Sequence, residues 1–255
     1  MGPLDQLIRI LAATHRVLVL TGAGISTASG IPDFRGPQGI WKKRQPVYFQ
    51  EFLASEDKRV EYWDYKAEGW EAFRAAKPNT VHLALARLEK LGRVGAIVTQ
   101  NIDGLHQEAG SSAEKVVEVH GTNRSLECVD CGKRSDPDTA VAWFRKERRT
   151  PACECGGWLK FATISFGQAL RPEVVSRAVR EAQEADAALS LGSTLSVQPA
   201  AGIPLLVARR GLPYAVVNRG ETDHDRVATL RIEGDVGDFV PAAVQALERE
   251  AEARA

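Results

Sequence analysis

The sequence predicts an α/β fold: a doubly wound parallel sheet, Rossmann-like, with an inserted small domain made of a four-cysteine zinc ribbon and a short helical module. Three observations predict it. Short apolar runs alternate with segments of helical period, a tight glycine turn follows the first run, and all four cysteines fall as two close pairs in one interruption of the pattern. Strands separated by helices of about ten residues or more imply parallel pairing with both sheet faces covered. Ligands of such sheets sit beyond the carboxyl ends of the strands.

The apolar runs are residues 16–20, 94–99, 186–191, 214–218 and 229–232. Between them, residues 78–91 place Val81, Leu85, Leu88 and Leu91 on one helical face, with Pro78 suited to a first turn. Residues 172–184, 199–210 and 236–250 read as further helices. Two segments interrupt the alternation. Residues 36–77 hold three of the five tryptophans and read as short helices with an aromatic interior, and residues 122–161 hold the cysteines. The expected division is 1–35, 78–121 and 162–255 for the main domain, 36–77 for the helical module and 122–161 for the ribbon.

A chain of 255 residues suits one full-sized domain with a small module attached. Lys plus Arg and Asp plus Glu both number 33, so the net charge is zero and no general attraction to nucleic acid or anionic lipid follows. The basic stretch Arg145-Lys146-Glu147-Arg148-Arg149 reads as a solvated helix face. No apolar run approaches the roughly 20 residues that span a bilayer, and the start MGPLDQ is neither a signal peptide nor a myristoylation site. A cytoplasmic location is expected, with no membrane or nucleic-acid partner and a monomer as the favoured state.

Polar or glycine-rich stretches close four of the runs. Gly22-Ala23-Gly24 follows the first as a phosphate-cradling turn would, because glycine lets an anion approach backbone N–H groups without a Cβ in the way. The third glycine of a dinucleotide fingerprint would fall at Thr27. Next comes Pro32-Asp33-Phe34-Arg35-Gly36. Asp33 and Arg35 either pair on the surface, or Arg35 holds a phosphate or ribose while Phe34 covers a reactive ring. Gln100-Asn101-Ile102-Asp103 offers two amides and a carboxylate; such a corner recognises a carboxamide, although Asn101 or Asp103 could equally cap a helix. Gly192-Ser193-Thr194 and Asn218-Arg219-Gly220 close the later runs. His120 ends the run 116–119 where these motifs converge, and its near-neutral titration suits a general base. His15, His82, His106 and His224 stand in helical or turn contexts with no polar cluster.

Cys128 and Cys131 are followed after 21 residues by Cys153 and Cys155, then Gly156-Gly157. Four thiolates close a tetrahedral zinc shell and leave no position for water, so the metal is structural. The second pair is C-x-C and the gap is long, which makes the ribbon a non-standard one.

"GAGIS", "IPDFRG", "TQNIDGLH", "VHG", the cysteine pairs, "SFG", "GSTL" and "VN" stand in the order and spacing of the sirtuins, NAD-dependent protein lysine deacylases. The resemblance covers about residues 17–239. It implies NAD as co-substrate and one structural Zn²⁺. Ala23, Gly24, Arg35 and Ser193 would line the NAD phosphates and riboses, with Gly22 and Asp33 also among the cofactor-binding residues. Asn101 and Asp103 would hold the nicotinamide end, walled by Ile102 and Phe34, with Gln100 on the reacting ribose. Gly192, Ser193, Thr194, Asn218 and Arg219 would bind the adenosine half. His120 would be the general base, taking a proton through the ribose hydroxyls. Phe166-Gly167 would pair with an acyl-lysine peptide lying as an added strand, and Phe34, Ile102, Ile164 and Phe166 would build the acyl tunnel.

The chain departs from the family at Gln168, where a glutamate is usual, which removes a charge beside the peptide. Members that prefer acidic acyl groups carry a tyrosine and an arginine three residues later; here Tyr62 is followed by Tyr65, with only Lys66 basic nearby. A neutral acyl preference, acetyl first, is expected. Two other functions compete: mono-ADP-ribosyl transfer to protein, and a non-catalytic NAD-responsive binding module.

Overall fold

The computed structural model describes residues 2–33, 39–40 and 44–253. Phe34, Arg35 and Gly36 of the Pro32–Gly36 motif lie outside them. The chain runs α1 (Pro3–Ala13), β1 (Val17–Thr21), α2 (Phe49–Ala54), α3 (Glu56–Glu68), α4 (Trp70–Ala75), α5 (Thr80–Lys90), β2 (Val94–Thr99), α6 (Leu105–Glu108) and β3 (Val116–Glu118). It continues through β4 (Gly121–Cys128), β5 (Arg134–Ser135), α7 (Pro137–Glu147), β6 (Leu159–Thr163), α8 (Pro172–Glu184), β7 (Ala187–Leu191), α9 (Gly202–Ala208), β8 (Tyr214–Asn218), β9 (Leu230–Glu233) and α10 (Val236–Glu252).

Six strands form one parallel sheet in the order β3-β2-β1-β7-β8-β9. Each predicted run is a strand to within one residue at either end. The order grows from β1 toward β3 and then restarts at β7 on the other side, so the topological switch lies between β1 and β7. Alternate residues of β1 feed different layers. Val17 and Val19 pack in one core with Leu7, Leu85, Leu88 and Val240 from α1, α5 and α10. Leu18 and Leu20 pack in a second with Ala178, Ala182, Ile203 and Val207 from α8 and α9. Burial on both faces is why these strands read as continuous apolar runs rather than alternating ones. The run-based reading omits α1 and starts two helices early, α5 by two residues and α9 by three. Asn79, not Pro78, defines the beginning of α5, since its side chain accepts from Val81 N at 3.0 Å as an N-cap.

The two insertions meet in a third core. Phe52, Tyr62, Trp63, Ala67 and Trp70 from the helical module pack with Leu126, Val141, Phe144 and Phe161 from the cysteine-bearing segment. Trp63 is fully buried and donates its indole N–H to Leu159 O at 3.0 Å, so the polar end of the ring is satisfied. The second sheet, β5-β4-β6, is antiparallel.

Gly121 is where the chain passes from the parallel sheet into the antiparallel one. Its φ is 72°, and a Cβ there would overlap the Ala162 carbonyl oxygen. Gly121→Ala should therefore destabilise the protein by about 3 kcal/mol or more, read from urea unfolding; a loss below about 1 kcal/mol would show that β6 can retreat without strain.

Candidate active site

At the switch point the turns after β1 and β7 interlock. Gly22 N donates to Leu191 O at 3.0 Å, Gly24 N to Gly192 O at 2.8 Å, and Gly192 N to Val217 O at 3.0 Å. A Cβ on Gly22 would lie 2.7 Å from Ser193 Cβ, one on Gly24 2.8 Å from Gly192 Cα, and Gly192 has a φ of 60°. These glycines are thus required by the contact of one turn with the other. Ile25 N and Ser26 N also bond backward to Gly22 O and Ala23 O, closing a single-turn 3₁₀ helix, Ala23–Ile25. No long helix leaves this turn, so nothing demands the third glycine at Thr27.

The loop after β2 rests on that turn. Gln100 N donates to Thr21 O at 2.9 Å, and its side-chain Nε2 reaches Ser193 Oγ at 3.0 Å. Asn101 Nδ2 donates to Gly22 O and to Ser26 Oγ, both at 3.1 Å. Ser26 Oγ in turn donates to Asp103 Oδ2 at 2.8 Å, while Asp103 Oδ1 accepts from Leu105 N at 3.0 Å. Asp103 is 3% exposed. A buried carboxylate with ordered donors on both oxygens is a fixed acceptor, able to receive an amide N–H.

His120 faces the same loop: its Nδ1 lies 3.0 Å from Gln100 O. A carbonyl only accepts, so Nδ1 carries the proton and the lone pair of the neutral ring is on Nε2. Ile164 N donates to His120 O at 2.8 Å, which sets Ile164 beside the histidine. Phe166 follows with its ring 5.9 Å from that of Tyr48, and its carbonyl already accepts from Phe49 N at 2.9 Å. Gln168 folds back, Oε1 accepting from Ser165 N at 3.1 Å.

The four cysteine sulfurs lie within 4.8 Å of one another. Cys128 Sγ is 3.5 Å from Cys155 Sγ, and Cys131 Sγ is 3.8 Å from Cys153 Sγ. A tetrahedron with Zn–S bonds of about 2.3 Å has edges of about 3.8 Å, close to both of these pairs, so the donor set suits a zinc ion. Gly157 makes room for it, because a Cβ there would lie 2.7 Å from Cys128 Sγ.

Residues 22–199 match the Sir2 family. The chain belongs to that family. A Rhodopseudomonas palustris protein named NAD-dependent protein deacetylase is 43% identical over 235 residues, spanning 92% of this chain and 93% of that one. A Sulfurisphaera tokodaii protein of the same name is 43% identical over 248 residues, 94% of each chain. Among solved structures, a Sir2 variant with a deacetylated p53 peptide and 3′-O-acetyl ADP-ribose superposes with a TM-score of 0.88 at 37% identity, covering 95% of this chain and 98% of that one. A Sir2 complex with p53 peptide and NAD⁺ gives 0.87 at 34%, covering 98% and 100%.

Within this Sir2 fold Gly22, Ala23, Gly24, Gln100, Asn101, Ile102, Asp103, His120, Gly192 and Ser193 converge on one edge. Thr194 and Asn218 lie further along it: Thr194 O accepts from Asp223 N at 3.1 Å, and Asn218 Nδ2 folds onto Arg219 O at 2.8 Å. The Arg219 side chain leaves the edge for Asp235 at 2.5 Å. Asp33 sits at the start of the gap in the described residues, with its carbonyl accepting from Ile40 N at 3.0 Å. Lys66 donates to Asn123 Oδ1 at 2.8 Å and lies over the Phe161 ring at 5.2 Å; burial, and then the Lys160 charge, push its pKa down to about 7. The Tyr62 hydroxyl accepts from Phe161 N at 3.1 Å.

Two expectations need correction. Ser26, quoted inside "GAGIS" and given no role, is the hinge between Asn101 and Asp103; a small hydroxyl just after the glycine turn was its only signal. The histidines apart from His120 are not all without polar neighbours. His224 Nδ1 lies 2.8 Å from Tyr214 Oη, which lies 2.9 Å from Ser190 Oγ. His106 Nε2 lies 2.9 Å from Thr21 Oγ1, and its ring is 5.1 Å from that of His82. These partners come from distant strands, and sequence proximity conceals them.

Removing the metal with a chelator, or Cys128→Ser, should release about one zinc per chain by atomic absorption and melt the ribbon. A folded, metal-loaded Cys128→Ser protein would refute the four-cysteine site. Burial, then the His82 charge, pulls the His106 pKa from the usual 6.5 to about 3. The stabilisation from this neutral ring is complete above pH 6.5 and is lost as the pH falls toward 3, because unfolding then takes up a proton. Urea midpoints should drop between about pH 7 and about pH 5, and drop less in His106→Asn; an equal drop in both proteins would assign the effect elsewhere.

Proposed function

We propose that this chain removes acetyl groups from protein lysine side chains with NAD and water, giving nicotinamide, O-acetyl-ADP-ribose and free lysine, the water cleaving the bond between the lysine nitrogen and the transferred acyl carbon. The observation that carries the reading is the meeting of two features on one sheet edge: the Ser26–Asn101–Asp103 corner, built to receive a carboxamide, and His120 with its Nδ1 held by Gln100 O. The names of the Sir2 relatives agree with it. NAD supplies the electrophile, through a nicotinamide–ribose bond that breaks. Asp103 and Asn101 hold the carboxamide end, and Gln100 and Ser193, joined at 3.0 Å, lie where a ribose would cross from β2 to β7. Gly192, Thr194 and Asn218 continue toward the adenosine end, together with the backbone of Arg219. His120 Nε2 takes the proton, and its Nδ1–H bond fixes the ring's orientation.

The acyl-lysine enters between the two domains, past Ile102, Ile164 and Phe166, and the peptide backbone lies along Phe166-Gly167. We divide the chain into a nucleotide-binding domain of residues 1–35, 78–121 and 162–255 and a small domain of 36–77 and 122–161. Neutral acyl groups are preferred: the Tyr62 hydroxyl is occupied by Phe161 N, and Lys66 loses its charge near neutrality inside an aromatic wall. By the family resemblance the Pro32–Gly36 loop would cover the nicotinamide end, with Arg35 toward the phosphates and riboses; Phe34 and Arg35 lie outside the described residues. A soluble, cytoplasmic monomer fits this role, and no helix of the described residues is long and apolar enough to cross a membrane.

Mass spectrometry of an acetyl-lysine peptide with and without NAD tests the reading. Loss of acetyl only with NAD, with nicotinamide and acetyl-ADP-ribose formed, is expected; labelled ADP-ribose fixed to protein without deacetylation would replace it with a transferase. His120→Ala should lower turnover by about a thousandfold while the melting temperature holds; near-normal turnover would remove His120 from the base role.

A further inference from the structure

Three carbonyls of the loop after β2 accept hydrogen bonds from the segment that follows β3. Gln100 O accepts from His120 Nδ1 at 3.0 Å, Ile102 O from Asn123 N at 2.8 Å, and Asp103 O from Arg124 Nε at 2.6 Å. Only the last comes from a permanently charged side chain, and such bonds are shorter and stronger than neutral ones. Arg124 is anchored on every side. Its Nη2 reaches Glu108 Oε2 at 3.3 Å, Glu108 also holds Lys77 at 2.8 Å, and the guanidinium lies 5.6 Å from the centre of the Phe73 ring. Its Cγ fills the space beside Gly104, 3.2 Å from where a Cβ would stand, and Gly104 has a φ of 70°.

One guanidinium therefore holds both sides of α6: the peptide group of Asp103 just before it and Glu108 at its end. A single helical turn cannot stabilise itself, and without Arg124 the Asp103 carbonyl would lose its charged partner. We propose that Arg124 is a positioning residue for NAD, fixing the Asp103 peptide so that the carboxylate, set by Ser26 and Leu105 N, meets the nicotinamide carboxamide. The assignment rests on the reading of Asp103 given above. It deepens that reading by adding a side chain from the small domain's first strand, one that touches neither substrate.

Steady-state kinetics of the zinc-loaded full chain, with acetyl-lysine peptide and NAD, tests it against Asp103→Asn as reference. Arg124→Met should raise both the KM for NAD and the inhibition constant of nicotinamide about tenfold, with kcat and peptide KM within about twofold and zinc content unchanged. Arg124→Lys, which can reach Asp103 O or Glu108 but not both, should fall between. Values for Arg124→Met within about twofold of the unaltered chain, while Asp103→Asn weakens NAD and nicotinamide, would overturn the proposal and leave the site reading standing. Unchanged nicotinamide inhibition in Asp103→Asn would instead place the fault in the site reading, and the proposal would fall with it. If the methionine variant does not fold, Arg124→Lys decides: a rise of about threefold or more in both constants supports the role, and less refutes it.

Discussion

The candidate catalytic edge hangs on the interlocking of two glycine turns. β1 and β7 are adjacent although most of the chain separates them, and their exits touch backbone to backbone through Gly22, Gly24 and Gly192. Side chains at these positions would push the turns apart. Ser193 would then leave Gln100, and Asn101 would lose Gly22 O, so a change at the turn would spread to every polar contact around it. The same constraint accounts for the shortened glycine fingerprint. A dinucleotide fold that sends a long helix out of its first turn uses a third glycine to pack helix on strand; here the chain bends into one-turn 3₁₀ helices and no such packing exists.

Burying a carboxylate at this edge imposes the second layer of structure. Asp103 is removed from water, so its oxygens need fixed donors, and in a low-dielectric setting each such bond is strong and each omission costly. Ser26 and Leu105 N provide them. Behind the loop, burial favours the neutral forms of both His82 and His106, so no cation competes from that side for the carboxylate. His106 lies against Thr21, which donates to Thr99 Oγ1, and Thr99 Oγ1 accepts from Asn101 N. The strand ends of β1 and β2 are thereby tied to Asn101, the residue proposed to face the carboxamide.

What could be read from the sequence was what is local. Buried strands show as unbroken apolar runs, so all five expected runs occur as strands. The cysteine spacing shows a metal shell because chelation needs only the right atoms within a short stretch of chain. Gly22, Asn101, Asp103 and His120 stood out because strand ends in this topology share an edge. The positions of Ser26, Arg124, His106 and His224 depend instead on partners 10 to 85 residues away that no periodicity marks. Pro78 misled for a local reason: proline is common in a first helical turn, but Asn79 beside it is the better cap, and it also ties Ile25 O and Ser29 Oγ to α5.

The cysteine shell lies at the end of β4 away from His120. Cys128 ends β4 and Gly121 begins it, so at about 3.3 Å per residue the cysteine shell would stand up to about 26 Å along the strand from His120, too far for a bound metal to polarise a reacting atom there. Yet β4 pairs with β6, whose far end delivers Ile164 to His120, and both strands pack into the aromatic core around Trp63 and Phe161. Cys128 is also the residue where β4 meets Leu159 of β6. The pairing changes register between Leu126 and Gly121, and at that far end the Ala162 carbonyl leaves Gly121, beside the histidine, no slack. The cysteines therefore hold one end of the β4–β6 pair, while its other end sets Ile164 against His120, the proposed base, and β4 carries Arg124 to the loop after β2.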